Sequence, residues 1–368
     1  VADVAYGDVK GARGIVDIIR RWNPAEGKSI SAWINGQIEQ KIDGIRKKYG
    51  VGLGGSRLIA GNLHLIELLE KKIAKWKKAE AALIMSSGYQ LNSSVLPAIF
   101  NDDVFSHKPT VILDKNVHAS IYDGCIRSKI CLLRFRHNDL DHLEKILSKA
   151  KTHGAKFVIT ESLFSMNGTI PNLKEIGRIC SDNNAFLIVD EAHAIGVFGQ
   201  NGNGLVRNAD MTIGTFGKAF GSHGAFLTCS QKMKDYLVAT CKGLIYSTAP
   251  SPAIIGSISA ALDLVPKMKK SREKIHLLAE HFKDNLVKLN LNILSADSHI
   301  ISISMKDVTT AYRYQEFLRD SGFWVKAIFP PTVTKKNTCI RFSICAFHEL
   351  EDVNCLISSL ASVPVDNA

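Results

Sequence analysis

A single lysine, Lys218, stands among glycines and phenylalanines in the segment GTFGKAFGSHGAF, at residues 214–226. The apolar run MTIGTF, which has the composition of a buried strand, leads into it. A glycine-rich turn that happens to contain a lysine would give the same pattern, since isolated glycine motifs are common. The alternative is a tight, dry pocket, where loss of water lowers the pKa of the amine and leaves a nucleophile able to form a Schiff base.

Two residues with acid–base chemistry follow another apolar run. The segment AFLIVDEAH contains Asp190 and, three residues later, His193. A buried aspartate at a strand end can simply cap a helix or a turn. An ionised Asp190 could instead pair with the protonated nitrogen of a pyridine ring, with His193 within reach of the same ligand.

A turn of small residues could bind a phosphate. In MSSGY, Ser87 offers a hydroxyl, and Gly88 and Tyr89 offer backbone N–H groups where a strand passes into a helix. The N-terminus of a helix favours a phosphate. Thr215, three residues before Lys218, would add a second hydroxyl.

Two more candidates follow predicted strands. His118 comes after TVILD, and Ser165 comes after KFVITES. A lone histidine is often an ordinary polar residue, but an imidazole here could stack on a planar cofactor. An imine-forming lysine, an aspartate for a ring nitrogen, a stacking histidine and a phosphate turn together describe a pyridoxal phosphate site. No histidines and cysteines occur at metal-ligand spacing, so no metal is expected.

Short apolar strands alternate with helices through the middle of the chain. The strands are predicted at 110–114, 130–135, 156–162, 185–192, 211–216 and 224–230, and the clearest helices at 139–151 and 172–183. This alternation predicts an α/β domain with a largely parallel sheet covered on both faces. Ligands of such sheets gather beyond the carboxyl ends of the strands, where the candidate residues lie.

The domain organisation is predicted from changes in this pattern. Residues 1–49 read as an N-terminal helical arm, 50–250 as the cofactor-binding large domain, and 251–368 as a smaller α+β domain with a linking helix.

The composition excludes several classes of protein. The net charge is +11, but the lysines are spread along helices without interleaved aromatic residues, which disfavours nucleic-acid binding. This charge suits a polyanionic small molecule, such as a nucleotide-carried acyl group. No apolar run approaches the ~20 residues of a membrane span. The opening residues lack a secretory pattern and the eight cysteines are scattered, so we expect a cytoplasmic protein.

The motifs VDEAHAIGVFGQNGNGL and GTFGKAFGSHGAF resemble those of the α-oxoamine synthases, which are fold-type I pyridoxal phosphate enzymes. RFRHNDLDHLEKIL, TESLFSMNGTIPNL, LIYSTAPSP and IRFSICAFHELEDV extend the resemblance to roughly residues 50–360. It implies a mainly parallel, seven-stranded-type sheet in the large domain. It also implies a homodimer with shared active sites, and decarboxylative condensation of an amino acid with an acyl thioester of coenzyme A or acyl carrier protein. WVKAIFPPTV and AFHELEDV are most similar to the branch that uses L-alanine and a pimeloyl thioester.

The resemblance assigns the cofactor contacts. Lys218 would form the imine and later move protons at the amino-acid α-carbon, and the glycines would let the backbone and the ring approach it closely. Asp190 would bind the ring nitrogen, His118 would stack on the ring, and Ser165 and His193 would contact the ring hydroxyl.

The resemblance also assigns residues to the phosphate and the substrates. Thr248 would reach the phosphate from a neighbouring subunit, joining Ser87, Gly88, Tyr89 and Thr215. Arg341 would clamp the substrate carboxylate with its bidentate guanidinium, and Thr332 would lie where the acyl chain enters.

The match departs from the family near the N-terminus. An SNDYLGL-type stretch is replaced by NPAEGKSISAWINGQIEQ, and Asn167 stands where relatives often have Asp. Because the N-terminal arm helps to recognise the acyl chain, a sibling activity remains an alternative: 2-amino-3-ketobutyrate ligase, serine palmitoyltransferase or α-hydroxyketone autoinducer synthase. A non-catalytic scaffold subunit is a third possibility, disfavoured by the joint presence of Lys218, Asp190, His118 and Arg341.

Overall fold

The computed structural model describes residues 41–101, 104–128, 130–150, 154–295 and 297–364. Of the predicted N-terminal arm, residues 41–49 are helical, and residues 1–40 lie outside the described residues. The described chain forms two compact units, one of residues 41–165 and 169–272 and one of residues 166–168 and 273–364. The sequence pattern predicted a change near residue 250, whereas the first compact unit continues to Arg272.

A seven-stranded sheet organises the first unit. Its strands are β1 (Ala81–Met85), β2 (Thr110–Asp114), β3 (Cys131–Phe135), β4 (Lys156–Glu161), β5 (Ala185–Asp190), β6 (Met211–Thr215) and β7 (Ala225–Cys229), in the order β1-β7-β6-β5-β4-β2-β3. From β3 to β6 all neighbouring strands are parallel, and β7 is antiparallel to both β6 and β1. The predicted largely parallel α/β sheet is thus confirmed.

Helices lie before, between and after these strands. They are α1 (His64–Lys77), α2 (Gly88–Ile99), α3 (Ala119–Ile126), α4 (Leu140–Lys149), α5 (Leu173–Asp182), α6 (Gln231–Thr240), α7 (Lys242–Ile245) and α8 (Pro252–Leu264). The residue before α4 is Asp139 and the residue before α5 is Asn172, and each side chain accepts a hydrogen bond from a backbone N–H of the first turn. Such N-caps explain why these helices begin where they do.

The hydrophobic core lies on both faces of the sheet. Along β4, Phe157 and Ile159 pack with one cluster of buried residues, whereas Val158 packs with another on the opposite face. Successive side chains of a strand point to opposite faces, so a strand covered on both sides must be apolar throughout. This burial explains the continuous apolar runs of the sequence and fixes the strand ends that carry the candidate site.

The second unit contains a four-stranded antiparallel sheet. Its strands are β8 (Ile293–Ser295), β9 (Ile300–Ser304), β10 (Lys326–Ile328) and β11 (Cys339–Ser343), in the order β10-β11-β9-β8. The associated helices are α9 (Lys269–Lys288), which starts within the first unit, α10 (Val308–Asp320) and α11 (Leu350–Ala361). Within the described ranges, every helix is too short or too polar to cross a membrane.

Candidate active site

Lys218 lies in the loop that joins β6 to β7. Phe216 and Phe220 are buried on either side of it, and backbone hydrogen bonds from Phe216 N to Gly224 O and from Ser222 N to Phe216 O, both 2.9 Å, close the loop. The two phenylalanines anchor the loop in the core and leave Lys218 exposed. The described residues therefore do not form the predicted dry pocket around Lys218.

The glycines of this segment have roles in packing and in the turn. A Cβ on Gly214 would lie 2.5 Å from the ring of Phe226, so glycine lets that ring pack against β6. Gly224 has φ +98°, a left-handed conformation that side chains disfavour. Packing and turn geometry therefore account for glycine at these two positions, and the approach of a cofactor ring to Lys218 stays a prediction.

Lys218 meets His193 at the carboxyl ends of neighbouring strands. Asp190, the last residue of β5, is aligned with Ile213 of β6, and His193 lies in the turn after β5. The Nζ of Lys218 is 2.7 Å from Nε2 of His193. The parallel pairing of β5 with β6 thus brings the predicted amine and imidazole into hydrogen-bond contact.

Asp190 is buried, with 6 % of its surface exposed. Its Oδ1 accepts from the backbone N–H of Ala192 at 2.8 Å, and its Oδ2 accepts from Nδ2 of Asn92 at 3.2 Å. These bonds fix the orientation of the carboxylate at the strand end. A carboxylate held in this way suits the protonated nitrogen of a pyridine ring.

A second carboxyl group, Glu161, stands beside Asp190 on β4. Burial is the main cause that raises the pKa of Glu161 well above its ordinary value, and the nearby Asp190 raises it further. The Oε1 of Glu161 accepts from the backbone N–H of His118 at 2.6 Å. Burial and the nearby Asp190 both favour the neutral acid form of Glu161.

His118 is the N-cap of α3. Its Nδ1 accepts from the backbone N–H of Ser120 at 3.2 Å and lies 2.8 Å from Oγ of the same residue. Partial burial of the ring lowers the pKa of His118; the charge of Lys218 lowers it further, while Asp190 opposes the change. The His118 ring therefore gains a proton only at a lower pH than an ordinary histidine does.

The predicted phosphate turn lies at the same edge of the sheet. Met85 at the end of β1 and Thr215 at the end of β6 both align with Ala225 of β7. Ser87 caps α2, and its carbonyl accepts the helix bond from Leu91 N at 2.9 Å.

The groups around this turn match a phosphate. The N–H groups of Gly88 and Tyr89 precede the first bond within the helix, and a Cβ on Gly88 would meet nothing within 4 Å. The hydroxyl of Thr215 donates to Gly224 O at 3.0 Å, while that of Tyr89 donates to Asp123. The turn thus offers backbone donors to an anion in open space.

The other predicted residues lie farther along the chain. Ser165 is half-buried and follows β4, and the exposed Thr248 pairs with Ser56 in an isolated β-bridge of the first unit. Arg341 on β11 donates to Ser343 Oγ at 2.8 Å, and Thr332 follows the cis peptide bond of Pro330 and Pro331. Arg341 and Thr332 belong to the second unit, so their roles toward a substrate stay predictions.

Sequence reasoning missed Asn92, Ser120 and Glu161. Glu161 had a signal, because a carboxyl group ending an apolar run is unusual in a buried strand. Asn92 and Ser120 are ordinary polar residues of helices in the sequence, and only the packing of α2 against α3 reveals their contact at 2.9 Å. In the described ranges, no three His, Cys, Asp or Glu side chains are grouped to bind a metal ion.

The residues present fit pyridoxal phosphate at three points. The exposed amine of Lys218 can bond to its aldehyde, the buried Asp190 carboxylate can accept from its ring nitrogen, and the open start of α2 can bind its phosphate. All three lie at one edge of the sheet, beyond the ends of β1, β5 and β6.

Comparisons with known proteins agree with this chemistry. The family model for class I and II aminotransferases matches residues 28–360. A protein of Paramagnetospirillum magneticum, named "Putative 8-amino-7-oxononanoate synthase", is 40% identical over 316 residues, which cover 85% of this chain and 81% of the relative. A protein of the same name in Geobacillus kaustophilus is 38% identical over 322 residues, covering 86% and 81%.

Solved structures give the same family. Serine palmitoyltransferase of Sphingomonas wittichii superposes with a TM-score of 0.84 at 25% identity, covering 89% of this chain and 83% of the other. Serine palmitoyltransferase of S. paucimobilis, solved with bound PLP and myriocin, has a TM-score of 0.83 at 27% identity with the same coverage. The 8-amino-7-oxononanoate synthase of Francisella tularensis has a TM-score of 0.76 at 25% identity, covering 92% and 94%. The chain therefore belongs to the class I and II aminotransferase family and, within it, to the α-oxoamine synthases, which are acyltransferases that depend on pyridoxal phosphate.

Proposed function

We propose that this enzyme condenses L-alanine with a pimeloyl thioester in biotin biosynthesis. The products are 8-amino-7-oxononanoate, carbon dioxide and the free thiol of the carrier, which is coenzyme A or acyl carrier protein. The observation that carries the proposal is the 40% identity to a relative of that name over 81% of its length. The amine, imidazole and carboxylate at the strand ends supply the groups that such a reaction needs.

Bound pyridoxal phosphate acts as an electron sink that stabilises negative charge on the α-carbon of the amino acid. Lys218 would hold the cofactor covalently, Asp190 would keep its ring nitrogen protonated, and the start of α2 with Thr215 would hold its phosphate. His118 would cover one face of the ring.

Proton transfer is assigned to Lys218. Its Nζ is 2.7 Å from Nε2 of His193, so the imidazole can share a proton with the amine and fix its direction. An amine positioned in this way can take a proton from the α-carbon of alanine and return it after decarboxylation. The new bond joins that α-carbon to the thioester carbonyl, and the carrier leaves as a thiolate with the electron pair of the broken carbon–sulfur bond and then takes up a proton. The bond from the α-carbon to the carboxylate breaks next, carbon dioxide leaves, and the returned proton replaces it on the α-carbon.

A homodimer is part of the proposal. The segment around Thr248 is tied to residues 51–56, since Ala249 N donates to Gly55 O at 3.0 Å and Ser251 Oγ donates to Val51 O at 2.7 Å. The side chains of this surface are apolar and strongly exposed: Val51 70%, Leu58 59%, Ile59 80% and Tyr246 82%. A patch of this kind is typical of a protein interface, and its cover by a second copy would bring Thr248 to the neighbouring site.

A cytoplasmic location belongs to the same proposal. All eight cysteines lie in the described residues, and all are free thiols. Free cysteines are usual in reducing compartments.

Serine palmitoyltransferase activity is the second candidate. The superpositions favour it, with TM-scores of 0.83 and 0.84 against 0.76 for the Francisella enzyme. A TM-score measures how similar two backbones are and so describes the shared fold. Sequence identity compares the side chains, and side chains select substrates. Identity is 27% to the S. paucimobilis enzyme and 25% to the Francisella enzyme, so these two structures do not separate the candidates; the 40% identity to the Paramagnetospirillum relative is what favours alanine and pimeloyl thioester.

The test combines absorption spectra with product analysis. The purified protein is scanned in the visible range before and after addition of alanine, serine or glycine, then incubated with pimeloyl-CoA or palmitoyl-CoA. We expect alanine to perturb the cofactor band most, and mass spectrometry to find 8-amino-7-oxononanoate only with alanine and pimeloyl-CoA. Lys218→Ala should lose band and product, while Lys232→Ala, which changes an exposed lysine of α6, should keep both. A palmitoyl product from serine would contradict the proposal and establish the second candidate.

A further inference from the structure

A continuous line of hydrogen bonds behind the site joins four polar residues, Asp190, Asn92, Ser120 and His118. Asn92 on α2 directs its Nδ2 to Oδ2 of Asp190 at 3.2 Å and to Oγ of Ser120 at 2.9 Å. That hydroxyl lies 2.8 Å from Nδ1 of His118. Asn92 and Ser120 are almost completely buried, with 2% and 1% of their surfaces exposed. The line thus connects the predicted ring-nitrogen partner to the predicted stacking imidazole through residues that are themselves shielded from solvent.

The direction of each bond follows from the donor chemistry. Nδ1 of His118 accepts from the backbone N–H of Ser120 at 3.2 Å, so this nitrogen carries no proton. The Asn92 amide can meet the Asp190 carboxylate only as a donor, because the reverse orientation would oppose two acceptors. Ser120 Oγ therefore accepts from Asn92 and donates to His118. The neutral imidazole then has its proton on Nε2.

We propose that Asn92 and Ser120 are positioning residues that fix the tautomer of His118, with its proton on Nε2, and the orientation of the Asp190 carboxylate. Both residues act through a neighbour that faces the cofactor site. The line couples the two ends, because Asn92 donates to Asp190 and to Ser120 with the same nitrogen. A change at Ser120 is thus transmitted to His118 directly and to Asp190 through Asn92.

The charges around His118 are consistent with a neutral ring. Partial burial lowers its pKa, Lys218 adds to the lowering, and Asp190 and Asp123 oppose it. Glu161, whose pKa is raised by burial, accepts from the backbone N–H of His118 as a neutral acid. Removal of the Ser120 hydroxyl deletes a donor that stabilises the neutral ring, so the pKa of His118 should rise toward its ordinary value of 6.5.

The experiment measures the tautomer and the pKa of the histidine rings in the full-length holoprotein. Nitrogen-15 NMR of labelled histidine distinguishes the two neutral tautomers, and the spectrum of His118→Gln identifies the signals of His118. We expect the wild-type ring to be neutral at pH 7 with its proton on Nε2. In Ser120→Ala the backbone N–H of residue 120 still donates to Nδ1, so we expect the preference for a proton on Nε2 to weaken measurably without being lost, together with a raised pKa. Ser93→Ala is the matched control, because Ser93 follows Asn92 on α2 but bonds to Gln90 O of its own helix.

A second measurement tests whether Asn92 holds the Asp190 carboxylate in the orientation that binds the cofactor. The rate of cofactor release is measured by absorbance in Asn92→Leu, which removes the amide at similar volume. Loss of a donor to a carboxylate should speed release roughly ten-fold or more. A proton on Nδ1 in the wild-type protein would overturn the proposal without any variant. It would equally be overturned if Ser120→Ala matched Ser93→Ala in tautomer and pKa. The measurements need no substrate, so their result is independent of which amino acid and thioester the enzyme uses.

Discussion

The buried ion pair of Lys77 and Glu191 yields a quantitative prediction about stability. Their side chains are 3% and 0% exposed, and Glu191 also accepts from the backbone N–H groups of Leu205 at 2.6 Å and Val206 at 2.8 Å. Lys77 donates to Asn203 O at 2.7 Å. The pair therefore fastens the glycine-rich loop before β6 to the residue after Asp190.

Lys77→Met would leave Glu191 charged and buried without its cation. Removing one partner of such a pair typically costs 3–5 kcal/mol, because the remaining charge is not compensated. The N–H groups of Leu205 and Val206 still solvate the carboxylate, so we expect the lower end of this range, about 3 kcal/mol. In Lys77→Met with Glu191→Gln no charge remains, and we expect at least half of the loss to be recovered.

The assay is urea unfolding followed by circular dichroism, with the midpoint and slope compared among variants. Lys75→Met is the matched control, since Lys75 is an exposed lysine on the same helix and should change the free energy of unfolding by less than about 0.5 kcal/mol. The reasoning is refuted if Lys77→Met costs under about 1 kcal/mol. It is refuted equally if the double variant is less stable than Lys77→Met.

Three further predictions concern the site and the proposed interface. Asp190→Asn keeps the shape but removes the charge, so kcat should fall about 10²-fold or more, whereas an unchanged kcat would exclude the ring-nitrogen role. Glu161→Gln should keep most activity, because burial raises the pKa of Glu161 and so favours its neutral form, which glutamine matches in charge and shape. Because the pKa of Glu161 is raised in the folded state, its contribution to the free energy of unfolding is fully present below the ordinary value of 4.5 and declines as pH rises above it. Unfolding of wild type and Glu161→Gln at several pH values should show this decline in the wild type relative to the variant. A difference that grows with pH would contradict the reasoning. Ile59→Asp should convert a dimer to monomers in size-exclusion chromatography with light scattering, whereas Leu277→Asp, also an exposed apolar residue, should not; a dimer retained in both would exclude the proposed interface.

The sheet and several strand-end residues could be predicted because local chemistry specifies them. Apolar runs such as TVILD and AFLIVD become β2 and β5, and the side chains just beyond β5 and β6 include His193 and Lys218, which are in contact. Parallel strands place these ends at one edge whatever the sequence between them. The pattern of apolar runs thus predicted the fold, and it placed the candidate residues at one edge of the sheet.

Other features depend on packing between distant segments and had no local signal. The line from Asn92 through Ser120 to His118 exists because α2 packs on α3. The exposure of Lys218 depends on how Phe216 and Phe220 are buried, which composition does not determine. Arg272, the last residue of the first compact unit, donates from its guanidinium to the carbonyls of Val265 and Gln200 in the same unit, contacts that composition does not indicate.

The hydrogen-bonded closure of the loop between β6 and β7 limits the freedom of the Lys218 amine. Because β6 and β7 are antiparallel neighbours, the backbone of Lys218 is held from both sides by the same ladder. In the proposed reaction of Lys218 only its side-chain torsions would remain to be ordered, since folding has already fixed the position of its Cα. This loss of entropy before the reaction would favour the proposed covalent capture of the cofactor. An insertion within residues 217–223 would displace the amine, whereas insertions in exposed loops away from the strand ends should be tolerated.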